Sequence, residues 1–144
     1  AAGISEGGLV FVLADDTVSA ATPSAWAAKA IALWRRLEAD ALVAEVNQGG
    51  EMVSAVIKQV DSTVPVTPVR AMRGKWVRAE PVSALYAEGR VVHVGEWPEL
   101  ESQMCAFGAD GLAQGKSPDR LDALVWALTD LMLSNSRSPT IRTL

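Results

Sequence analysis

Apolar and polar positions fall into blocks along this chain, and the period of those blocks switches between that of a strand and that of a helix. Gly8-Leu9-Val10-Phe11-Val12-Leu13-Ala14 is continuously apolar, rich in β-formers and stopped by Asp15-Asp16, which predicts a buried strand. Thr22-Pro23 then offers a capping hydroxyl followed by a proline at the first helical position. Trp26, Ala30, Leu33, Trp34 and Leu37 recur at helical spacing after it, so a first amphipathic helix is predicted over 23–39. Ala41-Leu42-Val43-Ala44-Glu45-Val46 is continuous rather than alternating, the pattern of a central strand covered on both faces. Asn47-Gln48-Gly49-Gly50 is a turn signal, and Met52, Val53, Val56, Ile57 and Val60 form the inward stripe of a second helix.

Val64-Pro65-Val66-Thr67-Pro68-Val69 carries two prolines that cannot donate ladder hydrogen bonds, which predicts a strand near an edge or one paired on a single side. A third helix is predicted over 75–88 with Gly89 placed to cap its end, then a short strand over 90–94 and a short helix over 98–107. Ser117-Pro118 opens a last helix with Leu121, Leu124, Val125, Leu128, Leu131 and Met132 facing the core. The chain from Asn135 onward is polar and reads as a flexible tail, so the domain is expected over 1–134 and the tail over 135–144. Strands alternating with helices imply an α/β fold with a mostly parallel sheet between helices.

Composition narrows the function classes. The 144 residues suit one domain, and a hydrophobic share of 49% suffices for an ordinary core. Thirteen Lys and Arg against 17 Asp and Glu give a formal charge of −4, which argues against non-specific DNA binding but leaves room for a local basic patch. The single cysteine, Cys105, can form no internal disulfide, so a cytosolic protein is expected, with Cys105 a small buried apolar residue. No apolar run reaches the roughly 18 residues of a membrane span. Residues 1–8 lack the basic and apolar regions of a signal peptide and read as a chain already under way. No GxxxxGK[ST] phosphate loop occurs, so no P-loop ATPase is expected in this chain.

Glu45 is the sharpest chemical signal. A carboxylate within an apolar strand must be paired, protonated, or set at the strand's C-terminal end where ligands of open α/β sheets bind. A salt bridge to a neighbouring helix is the alternative. Asp119 and Asp122, three residues apart at the start of the last helix, project from nearly one face, which also holds Trp126 and Thr129. Asp119 alone is explained by the helix dipole, whereas Asp122 is less well explained by capping. If that helix lies beside the strand of Glu45, three carboxylates converge, and hard divalent ions take oxygen ligands. Arg70, Arg73, Lys75 and Arg78 lie within nine residues of one another, either as a phosphate-contacting patch or as a solvated helix start. His93 could serve as a base but is more simply structural, and the five tryptophans read mostly as filler between elements.

Glu45 followed by Asn47-Gln48-Gly49-Gly50, together with the late Ser117-Pro118-Asp119-Arg120-Leu121-Asp122-Ala123-Leu124-Val125-Trp126-Ala127-Leu128, resembles the nuclease domain of the large terminase subunit of tailed phages and gene transfer agents. Arg73-Gly74-Lys75, Arg78-Ala79-Glu80-Pro81 and Tyr86-Ala87-Glu88-Gly89-Arg90-Val91 extend the resemblance over most of the chain. The resemblance implies an RNase H-like fold, a central mixed sheet with helices on both faces. It also implies cleavage of concatemeric double-stranded DNA during genome packaging, in the cytoplasm of a bacterial host. Two Mg²⁺ or Mn²⁺ ions would be held by Glu45, Asp119 and Asp122. The implied partners are an upstream packaging ATPase domain, the portal and the small terminase subunit, with no membrane and with the isolated domain a monomer.

The sequence departs from that family in one respect. The family's first acid lies on an opening strand that precedes two antiparallel strands and the first helix. Asp15 does not fit that place, because Thr22-Pro23 starts the helix too soon after it. The run 8–14 matches the third strand instead, 1–4 a remnant of the second, and the opening strand is expected to be missing. Two other readings stand beside the terminase: a resolvase of Holliday junctions, whose last helix carries a similar Asp-x-x-Asp-Ala, and a non-catalytic docking module of a packaging motor.

Overall fold

Short apolar runs bounded by glycine, proline and charge produce short strands here, and the helices carry most of the buried surface. A computed structural model describes residues 1–46 and 51–134. Their order is β1 (Ala2–Ile4), β2 (Val10–Val12), α1 (Pro23–Arg36), β3 (Leu42–Glu45), α2 (Glu51–Val60), β4 (Val66–Val69), α3 (Lys75–Ala87), β5 (Val91–His93), α4 (Pro98–Ala106) and α5 (Asp119–Leu128). A π-helical turn, Thr129–Leu133, continues α5. The Asn47 to Gly50 turn signal and the expected tail over 135–144 lie outside the described residues.

Each boundary has a local cause. Thr22 caps α1, its hydroxyl accepting from the Ala25 N–H at 3.3 Å, with Pro23 at the first helical position. Gly89 follows α3 at φ +67°, a left-handed conformation that glycine adopts without strain. The stretch 8–14 is trimmed to a strand of three residues, opened by Gly8 at φ +78°.

β1 runs antiparallel to β2, pairing Ala2 with Val12 and Ile4 with Val10, and β2 runs parallel to β5. β3 and β4 form a separate parallel pair in which Glu45 sits opposite Val69. The expected single central sheet is therefore a three-stranded mixed sheet of order β1-β2-β5 and a two-stranded parallel sheet. β3, expected to be central, pairs only with β4 among the described residues. Its apolar run reflects cover by helices rather than strands on both sides. α5 packs against both β1 and β3 and so ties the two sheets together. β4, with Pro68 inside it and Pro65 just before it, pairs only with β3 among the described residues, in keeping with its sequence.

Two apolar clusters follow from this arrangement. Val10, Val12, Val82, Leu85, Val91 and Leu100 surround Leu121, Leu124, Val125 and Leu128 of α5, while Ala27, Ile31, Ile57 and Val64 join α1 and α2 to the β3–β4 pair. The inward stripe of α1 is Ala27 and Ile31 with Trp26 and Trp34 beside them, shifted from the expected one. Ala30 and Leu33 instead line a cleft of about 310 Å³ between α1, β2 and α5. On α2, Met52 and Val60 belong to the expected stripe yet remain 68% and 44% exposed, because α2 packs mainly through Ile57. Cys105 is exposed, contrary to expectation, because α4 turns Leu100, Met104 and Phe107 inward and leaves Cys105 on the outer side.

Candidate functional site

Glu45 is the last residue of β3, at the carboxyl end of the parallel β3–β4 pair, and Arg70 leaves the neighbouring strand at that same end. Its carboxylate is half-buried, and Oε2 accepts a hydrogen bond from the indole Nε1–H of Trp126 at 3.0 Å. Trp126 reaches it because α5 is amphipathic. Leu121, Leu124, Val125 and Leu128 fill the core side, so Asp119, Asp122 and Trp126, at steps of three and four, share the opposite face.

α3 supplies the cations. Arg78 Nη2 donates to Asp122 Oδ1 at 2.5 Å, and Lys75 Nζ lies 3.2 Å from Asp122 Oδ2. Both partners of the Arg78–Asp122 pair are only 11% exposed, so the pair is shielded from solvent and salt. Arg78 also donates from Nη1 to the Arg73 carbonyl at 3.0 Å, and its guanidinium carbon stands 4.8 Å from the centre of the Trp126 ring. Lys75 donates to the Ser117 hydroxyl at 2.9 Å, which in turn donates to Asp119 Oδ1 at 2.5 Å. One polar chain thus runs from Asp119 through Ser117, Lys75, Asp122 and Arg78, and crosses the Trp126 ring to Glu45.

The structure accordingly brings Glu45, Asp119, Asp122, Lys75 and Arg78 into a single network. Arg70 and Arg73 are exposed beside it, Arg73 joining through its backbone. Sequence reasoning missed Trp126 and Ser117 as members. The signal for Trp126 was its place one turn beyond Asp122 on the acidic face. Among the described residues no group of three or more His, Cys, Asp or Glu is placed to hold a metal ion. Glu45 meets the indole directly and Asp122 is linked to it through Arg78, with a cation already at each Asp122 oxygen.

The remaining candidates lie elsewhere. Asp15 is held by Arg120, whose Nη1 donates to both carboxylate oxygens at 3.4 and 3.2 Å, so it fastens the chain after β2 to the start of α5. His93 bridges Tyr86 and Glu101, with the Tyr86 hydroxyl 2.8 Å from Nε2 and Nδ1 3.1 Å from Glu101 Oε1. An ionised Glu101 only accepts, so the proton between them is carried by Nδ1. Those hydrogen bonds, from His93 and then the Trp97 N–H, hold the Glu101 carboxyl below its usual range. Burial, aided by the negative charge of Glu101, pushes Tyr86 up to about 12. This trio joins α3, β5 and α4 and serves packing.

The 310 Å³ cleft and a 340 Å³ groove lined by Trp76, Tyr86 and Phe107 both leave out Glu45 and Asp122. Small substrates favour such concave sites, so acids lying outside them suit a polymer that approaches a face of the domain.

Residues 1–131 match the family model of the terminase RNase H-like domain. The chain belongs to that family. The match spans every element of the polar network, from Glu45 on β3 to Trp126 on α5, and places this terminase RNase H-like chain among nuclease-type domains. The described residues of this chain are α/β, with a mixed sheet and five α-helices. No curated protein and no solved structure matches it. Among the described residues, no helix of this terminase domain is long and apolar enough to cross a membrane.

Proposed function

We propose that this chain is the DNA-cleaving domain of a large terminase subunit from a phage or gene transfer agent. It cuts concatemeric double-stranded DNA during genome packaging, in the cytoplasm of a bacterial host. The observation that carries this reading is the meeting of Glu45 and the Asp122 face of α5 at Trp126, with Lys75 and Arg78 alongside. Acids for phosphodiester chemistry and cations for phosphate thereby occupy one face, in a chain whose family is nuclease-type.

The donor chemistry suits Mg²⁺ or Mn²⁺, hard ions held by one or two carboxylates with water and substrate phosphate completing the shell. Glu45, Asp119 and Asp122 would hold such an ion, which would supply Lewis acidity and an activated water. The described residues do not fit a site closed by protein ligands alone. An ion at Asp122 competes with Lys75 and Arg78, and a second ion would draw on DNA phosphate for its ligands. The chain's own contribution is electrostatic and positional. Exposed Arg70 and Arg73 meet the DNA backbone, Lys75 and Arg78 balance the acids, and Ser117 fixes Asp119 against Lys75. An upstream packaging ATPase, the portal and the small terminase subunit are the partners that go with this role, and the isolated domain is a monomer.

The test is cleavage of linear and plasmid duplex in Mn²⁺. Glu45→Ala and Asp122→Ala are each expected to abolish it while the far-ultraviolet dichroism spectrum is kept. Undiminished nicking by Glu45→Ala defeats the assignment.

One observation favours a second reading. Both oxygens of Asp122 are already ion-paired, and no group of three acids assembles among the described residues, as a non-catalytic docking module would allow. Calorimetric titration with Mn²⁺, alone and with a DNA duplex, separates the two. The nuclease binds the ion at least in the presence of DNA, whereas the docking module binds none.

A further inference from the structure

We propose that Trp126 is the positioning residue of this site, the side chain through which DNA contact at Lys75 and Arg78 sets the carboxylate of Glu45. The inference rests on the reading of Glu45 and Asp122 as the site's acids. Its basis is that one indole serves both halves of the network. The ring's single donor, Nε1–H, is committed to Glu45 Oε2 at 3.0 Å, and its π face carries the Arg78 guanidinium at 4.8 Å. A rotation of the ring that follows Arg78 therefore breaks or redirects the bond to Glu45.

Arg78 is suited to move. It spends Nη2 on Asp122 and Nη1 on the Arg73 carbonyl, while its Nε is buried without a hydrogen-bond partner. A buried donor left unmade is costly, so this seat satisfies the guanidinium incompletely. A backbone phosphate offers the bidentate acceptor that guanidinium matches best. Exposed Arg73, one hydrogen bond away from Arg78, lies where such a phosphate would first arrive. In the free domain Lys75 and Arg78 neutralise Asp122, and Trp126 holds Glu45. Once a phosphate draws Arg78 off, Asp122 Oδ1 is uncovered while Lys75 stays at Oδ2, and the indole loses its cation in the same step. Asp122 thus gains an open oxygen and the Trp126 bond to Glu45 is re-set in one event, and only against bound DNA.

The test uses the whole chain and two readouts. In divalent-free buffer, adding a DNA duplex is expected to shift the indole N–H resonance of Trp126, assigned by its disappearance in Trp126→Phe. Arg78→Gln is expected to remove that DNA-dependent shift. Trp126→Phe keeps a ring but lacks the donor, and loss of such an outer contact typically costs about 10- to 100-fold in activity. Here the loss should fall on kcat in Mn²⁺, with KM for DNA little changed.

An indole signal unmoved by saturating DNA overturns the proposal, as does wild-type kcat in Trp126→Phe. Should Trp126→Phe fail to fold, the comparison of wild type with Arg78→Gln decides alone, with the Trp126 signal assigned through the backbone. Failure of the nuclease reading is told apart by Glu45→Ala. Cleavage retained there removes the acid assignment, whereas the indole shift reports the link from DNA to Trp126 independently of cleavage.

Discussion

Arg78 and Asp122 carry opposite charges where solvent hardly reaches them, so each is tolerable only because the other is present. Removing one partner of a buried pair leaves an uncompensated charge. Arg78→Ala is therefore expected to destabilise the domain by about 3 kcal/mol, the low end of the usual range because Lys75 stays beside Asp122. Denaturant unfolding measures this, and a change below about 1 kcal/mol would show the pair to be solvated and its geometry unimportant. Tyr86 offers a second residue-scale check, since it is the only tyrosine in the chain. Its tyrosinate absorbance should titrate near 12 rather than at the ordinary 10.0, because burial disfavours the phenolate. The folded-state value is raised, so this group's contribution to stability is whole below pH 10.0 and is lost as pH climbs toward 12. A midpoint near 10.0 would mean that the ring is open to water.

At the scale of elements, α5 does the most. One side of it supplies Leu121, Leu124, Val125 and Leu128 to the larger apolar cluster, and the other presents Asp119, Asp122 and Trp126 to the site. Leu128 is fully buried, so Leu128→Ala should cost about 2 to 5 kcal/mol in unfolding free energy. Met52→Ala on α2, at a position 68% exposed, should cost less than about 0.5 kcal/mol. Equal losses would contradict the orientation given to α2. The 3.6-residue period made α5 and its two faces legible in the sequence, because four large apolar side chains leave a helix only one way to turn. On α1 the same reasoning found Trp26 and Trp34 but missed Ala27 and Ile31, the two buried positions between them. That helix has two neighbours, α2 on one side and the cleft beside β2 on the other, and both Ala27 and Leu33 find cover. Cys105 was misplaced because a single small residue has no period of its own.

For the whole molecule, net charge opposes DNA while local charge favours it. A chain of −4 can hold a polyanion only through a confined patch, so affinity should fall steeply with salt. Arg70→Gln and Arg73→Gln, at exposed positions, should each lower the slope of log affinity against log salt by about 1 if the side chain neutralises one phosphate. Unchanged slopes measured by fluorescence anisotropy would move the DNA to another face. The division of the strands into two sheets is also a property of the whole. β1 and β3 carry the local pattern of sheet members, but nothing local says whether they pair with each other, and α5 spans the two sheets where a single ladder was expected.

The sequence by itself determined the order of strands and helices, the inward face of α5, and which acids and cations are candidates for the site. Each of these follows from short-range periodicity or from the cost of an unpartnered charge in an apolar run. Only the tertiary structure decided that Arg78 and Lys75 close on Asp122 and that one indole joins Arg78 to Glu45. Those partners lie 44 residues apart for Arg78 and Asp122 and 81 apart for Trp126 and Glu45. Contacts across such separations are fixed by how helices settle on sheets, and no local pattern of residues encodes that distance.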